Sequence, residues 1–121
     1  MIAIVSCSHS PDDERIYHKQ IQSLIEKGFF IRYYTRSPYD LDLTGPSIVH
    51  NNFNEKVSVK IFIDKVFNEL ARLEDITFVQ IHETALLPLL KKIKLRFSHI
   101  KTIYDIHENM EALHRTFSKR T

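Results

Sequence analysis

Blocks of apolar and polar residues follow one another along the chain, and their spacing switches repeatedly between that of strands and that of helices. Ile2-Ala3-Ile4-Val5 is a continuous apolar run, the pattern of a strand buried on both faces in a parallel sheet. It passes into Ser6-Cys7-Ser8-His9-Ser10-Pro11-Asp12-Asp13, a polar loop rich in helix-capping types. Ile16, Tyr17, Ile21, Leu24 and Ile25 then keep three-and-four spacing, which predicts a helix over about 13–27 with one face toward a sheet. Gly28 stands where a C′ residue would end that helix. Residues 29–35 read as a second strand, 37–46 as a loop and 47–53 as a short third strand. Apolar positions 59, 62, 63, 66, 67, 70 and 73 predict a helix over about 55–73. A strand at 77–81, a helix at 85–97, a strand at 101–106 and a helix starting near Glu108 complete the series.

Strands and helices that alternate with short joints imply right-handed crossovers and a parallel sheet covered on both faces. The expectation is a Rossmann-like, doubly wound α/β domain of three layers, α/β/α, occupying residues 1–121 as one unit. The last helix has barely begun at Thr121, so the sheet is expected to be incomplete at its C-terminal side, as in a fragment or a truncated half. Composition agrees with one domain: 121 residues leave no room for two. Two glycines and four prolines supply no flexible linker. The single cysteine, Cys7, has no partner for an internal disulfide, which fits a reducing compartment. The opening run lacks the basic flank of a secretion signal, and nothing approaches the ~18 apolar residues of a membrane span. A cytoplasmic protein is expected. The formal net charge of +2 is too small for a nucleic-acid footprint.

In open parallel sheets ligands bind outside the carboxyl ends of the strands, which tells which polar residues converge. The first strand delivers His9, Asp12, Asp13 and Arg15, the fourth His82 and Glu83, and the fifth His107 and Glu108. Three strands thus each end in a histidine and a carboxylate. Such pairs donate and accept protons near neutral pH or bind sugar hydroxyls, and helix N-termini at the same edge favour anions. Plainer roles stand beside these. His9 and Asp13 also suit helix capping, Glu83 and Glu108 suit the first turn of a helix, His107 suits burial at a strand end, and Arg15 suits a surface ion pair. His18, His50, His99 and His114 are assigned to structure or solvent. His9, His82 and His107 together could bind a metal, although no compact ligand spacing supports it. No G-x-S-x-G elbow accompanies Ser6 or Ser8, and no G-x-G-x-x-G follows the first strand.

These strand-end residues carry a resemblance. "HSPDDERIYHKQIQSLIEKGFFIRYYT" resembles the opening of family 4 glycosyltransferases whose first loop reads H-P-x-x-D-x-R-I-x-x-K. "FVQIHETALLPLL" is similar to the family's D-V-x-H-x-H-D strand and the helix after it, and "KTIYDIHENM" to its K-x-V-Y-D-x-H-E strand. The three fall in the family's order and span residues 1–110. The resemblance implies the N-terminal, acceptor-side domain of a metal-independent, retaining enzyme of GT-B fold, with no cofactor beyond a nucleotide-diphosphate sugar donor. His107 would match the family's active-site histidine; His9, Asp13 and Arg15 would match the loop and helix start that face the acceptor and the interdomain cleft. His82, Glu83 and Glu108 are further substrate-binding candidates at the same edge. Two departures stand out. Asp13-Glu14 occupy the region where many members carry a Gly-Gly pair. The domain with the E-x7-E motif, which holds most of the nucleotide, is not in this sequence. The chain alone is therefore expected to be inactive, and a complementary donor-binding chain or domain, and a sugar or lipid-linked acceptor, are the implied partners. A non-catalytic Rossmann-like binding or partner domain is the alternative.

Two surface expectations complete the reading. Lys91, Lys92, Lys94, Arg96 and Lys101 crowd the end of one helix, and Arg115, Lys119 and Arg120 add charge beyond it. This reads either as a solvated helix end, where cations favour the dipole, or as weak contact with an anionic inner membrane face. An uncovered cleft edge and unfinished sheet would also favour self-association.

Overall fold

The computed structural model describes residues 1–105. Its centre is a sheet of five strands, all parallel: β1 (Ile2–Ser6), β2 (Ile31–Arg36), β3 (Ile48–Phe53), β4 (Phe78–Ile81) and β5 (Lys101–Tyr104), in the order β3-β2-β1-β4-β5. β1 is the middle strand, and all five of its residues are buried, as its unbroken apolar run requires. The α/β expectation of a Rossmann-like parallel sheet with helices on both faces is met.

One helix, α1, covers one face. It winds with π geometry over Glu14–Ile21 and tightens to an α-helix over Gln22–Glu26. The carbonyl of Asp13 accepts from both Tyr17 N–H (2.8 Å) and His18 N–H (3.4 Å), the wider closure that distinguishes a π turn. Ile16 and Ile21 on α1 pack against Ile2, Ile4, Ile31, Tyr33 and Ile48 of the sheet. Gly28 ends the helix as the spacing predicts. Its φ is +94°, Gly28 N–H donates to Ile25 O (2.9 Å) and Phe29 N–H to Leu24 O (3.1 Å), a Schellman closure.

The other face carries α2 (Val59–Ala71) and α3, which opens as a 3-10 turn at Thr84–Leu86 and continues over Leu87–Arg96. Phe62, Ile63, Val66 and Leu70 of α2, and Leu89, Leu90 and Ile93 of α3, pack on Ala3, Val5, Tyr34, Val79 and Ile81. α2 starts four residues later than the apolar spacing predicts. Asn54 instead makes a side-chain turn, accepting from Lys56 N–H (2.9 Å), and Ser58 caps the helix by accepting from Ile61 N–H (3.2 Å). The basic end of α3 is exposed: Lys91, Lys94 and Arg96 lie at the surface, and Lys92 pairs with Asp64. Leu89, Leu90 and Ile93 face the core, while Leu95 is 81% exposed among these bases. Arg115, Lys119, Arg120 and the helix expected near Glu108 lie outside the described residues. Among the described residues no helix is long and apolar enough to cross a membrane.

Candidate functional site

From β1 the chain moves outward through β2 to β3, then returns to β4 on the other side of β1. The strand order therefore reverses between β1 and β4, and the crevice beyond their carboxyl ends is where this architecture seats ligands. β1 delivers Ser6, Cys7, Ser8 and His9 there; β4 delivers His82 and Glu83.

Glu83 occupies the crevice itself. It is 2% exposed, and its Oε1 accepts from Cys7 N–H (2.8 Å) while its Oε2 accepts from Ser6 Oγ (2.8 Å) and Ser8 N–H (3.3 Å). His9 Nδ1 makes a further short contact with the same Oε2. A carboxylate accepts only, so Nδ1 carries the proton in that contact. Burial alone pushes the Glu83 carboxyl up; the bonds from His9, Cys7 N–H and Ser6 outweigh it, and the net direction is below the ordinary value. The consecutive amides of Cys7 and Ser8 form the kind of backbone concavity that binds anions, and an internal carboxylate fills it. Glu83 is thus an anchor between β1 and β4 rather than a first-turn acid serving a helix dipole.

His82, next to it, is fully buried. Gln80 Nε2 lies 3.1 Å from His82 Nε2 and donates to Gln20 Oε1 at 3.0 Å. Asp105 Oδ2 lies 3.9 Å from His82 Nδ1 and accepts from Gln20 Nε2. This cluster joins α1, β4 and the end of β5. Gln20 and Gln80 carry no motif that would have singled them out, and Asp105 stands in the stretch that resembles K-x-V-Y-D-x-H-E; the packing of α1 beside β4 and β5 assembles the three.

Asp13 takes the plainer of its two expected roles. Its Oδ1 accepts from Arg15 N–H (2.9 Å) and Ile16 N–H (3.0 Å), capping α1. Arg15 is exposed in the first turn of that helix. His107 and Glu108 lie outside the described residues. Of the predicted site residues, the structure brings His9 and Glu83 into direct contact, places His82 beside them and sets Asp13 and Arg15 at the start of α1. The metal reading needs His107; among the described residues no group of three or more histidine, cysteine or acidic side chains is placed to hold an ion. Cys7 is buried, and burial pushes its thiol up to about 11, away from the thiolate a nucleophile needs.

Toward β2 and β3 the edge is organised by His50. It is 5% exposed and stacks on Tyr33, with ring centroids 5.0 Å apart. His50 Nδ1 accepts from Leu43 N–H (3.0 Å), so Nε2 carries the proton toward Thr35 Oγ1 (2.8 Å). Thr35 donates to Asn52 Oδ1 (2.8 Å), which also accepts from Ser37 Oγ (2.8 Å), while Asn52 Nδ2 donates to Tyr39 O (2.9 Å). Burial lowers the pKa of His50 below its ordinary 6.5, as this neutral relay requires. No family model, curated protein or solved structure matches the chain.

Proposed function

We propose that this chain is the N-terminal, acceptor-side domain of a retaining glycosyltransferase of GT-B type, which receives a sugar from a nucleotide-diphosphate donor held by a second domain or chain. The observation that carries the reading is the convergence of His9, His82 and Glu83 at the β1/β4 reversal of a parallel sheet. It joins two of the three sequence stretches that resemble family 4 glycosyltransferases. In this reading His107 hydrogen-bonds where charge develops as the sugar leaves its phosphate, and a closing cleft brings the acceptor hydroxyl to the anomeric carbon. The filled amide concavity fits an acceptor side, since it leaves the donor pyrophosphate to the other half.

The test is transfer of a radiolabelled sugar to lipid or polymer acceptors by the chain joined to, or mixed with, a donor-binding domain encoded beside it. His107→Ala is expected to lower kcat about 10²-fold, equivalent to about 2.7 kcal/mol. A change under about threefold would sink the assignment. A second reading, a non-catalytic binding or partner domain, draws on the burial of His82 and Glu83, whose polar atoms are engaged inside the fold. Absence of transfer from every such pairing, with the fold intact, favours it.

A further inference from the structure

Between the loop after β1, the end of β2 and the turn from β3 to α2 lies a pocket of about 250 Å³. Ser8, His9 and Ser10 line one side, and Arg36, Tyr39 and Glu55 line the other. Arg36 is held in one orientation by backbone carbonyls alone. Its Nε–H donates to Val57 O (2.6 Å), Nη2 to Glu55 O (2.7 Å) and Nη1 to Cys7 O (3.4 Å). A guanidinium has five N–H groups, so two remain, and among the described residues they meet no acceptor.

Carbonyls fix a cation without neutralising it. Among the described residues no carboxylate lies within ion-pair distance of Arg36, whereas Arg32 has Glu69 at 3.7 Å and Lys92 has Asp64. Glu83, bonded to the β1 loop, is 2% exposed and does not line the pocket. A half-buried, oriented and unneutralised guanidinium at a pocket wall is preorganised for an anion, because its side-chain freedom is lost on folding and not on binding. Ser8, exposed at the same rim, carries a hydroxyl 3.6 Å from Cys7 Sγ that can turn to a bound anion as a second donor. Among the described residues that line the pocket, the exposed Glu55 carboxylate is the one opposing charge. A volume of about 250 Å³ suits a small group rather than a nucleotide sugar.

We propose that this pocket binds the carboxylate or phosphate group of a small polar ligand, with Arg36 as its cationic seat. The inference rests on the pocket and not on the glycosyl-transfer reading, so either can fail without the other. The test is an amide NMR titration of the whole chain with inorganic phosphate and, separately, with acetate at constant ionic strength. Saturable shifts confined to residues 7–10, 36–39 and 55 are expected, with Kd in the range of ~1–10 mM. Phosphate alone saturating names a phosphoryl ligand, acetate alone a carboxylate, and both support the shared chemistry. Glu55→Gln removes the opposing charge and is expected to tighten binding about two- to fivefold. Arg36→Gln is expected to abolish saturation; if that variant unfolds, Glu55→Gln decides on an intact pocket. Drift that never saturates with either anion, or no tightening in Glu55→Gln, overturns the proposal.

Discussion

The two halves of the carboxyl edge solve opposite electrostatic problems. Between β1 and β4 the backbone offers amide donors, and Glu83 fills them, so the seat is closed and satisfied from within. Beside β2 the backbone offers carbonyls, and Arg36 takes them, so a fixed cation is left facing an open pocket. The difference lies in what each charge has left over. The Glu83 carboxylate accepts from four groups and is 2% exposed, whereas two N–H groups of Arg36 meet no acceptor among the described residues. A charge saturated by its own fold stabilises that fold; one that is oriented but unneutralised is placed to meet something else.

Breaking the closed half should have the largest effect. Glu83→Ala leaves the amides of Cys7 and Ser8 without their acceptor at a buried strand junction, and a loss of about 3–5 kcal/mol is expected. Glu83→Gln keeps one acceptor oxygen and should cost about 1–3 kcal/mol. Urea unfolding followed by circular dichroism measures both, and equal stabilities of either variant and the parent would show that the carboxylate anchors nothing. Because the folded-state pKa of Glu83 lies below the ordinary 4.5, its contribution is present above pH 4.5 and is lost as pH falls through the lower folded value.

The open half answers to a different proton. His50 is neutral in the fold, with its folded pKa below the ordinary 6.5. The unfolded chain therefore takes up the proton first, so stability is full above pH 6.5 and falls as pH drops toward the folded value. The slope from this one group is at most about 1.4 kcal/mol per pH unit. Through Thr35 and Asn52 the same proton supports Ser37 and Tyr39 at the rim of the Arg36 pocket. Thermal unfolding from pH 7 to 5.5 should show a steeper fall for the parent than for His50→Gln; parallel curves would remove His50 from the account. A smaller effect is expected at the start of α1, where Asp13→Ala should cost about 1 kcal/mol through the lost cap. A loss above about 3 kcal/mol would mean that Asp13 belongs to the Glu83 anchor.

The contrast also explains what could be read beforehand. Ile2-Ala3-Ile4-Val5 announces a central parallel strand because burial on both faces leaves no polar position. Gly28 and Asp13 are legible because caps act within a few residues of themselves. Glu83 is legible as a strand-end residue but not as an anchor, since its acceptor role depends on β1 lying beside β4, 76 residues away along the chain for Cys7. Arg36 leaves no trace at all, because its partners are backbone carbonyls, which every residue carries. His50 looks like any surface or core histidine until β3 pairs with β2 and brings Thr35 within reach.

The amide seat at the β1/β4 reversal is taken by Glu83, and the proposed acceptor-side reading leaves the nucleotide diphosphate to another domain or chain. Calorimetric titration of the whole chain with nucleotide-diphosphate sugars tests it most directly. The account predicts a Kd no tighter than about 1 mM, or roughly −4 kcal/mol. Low-micromolar binding of any nucleotide sugar would contradict it.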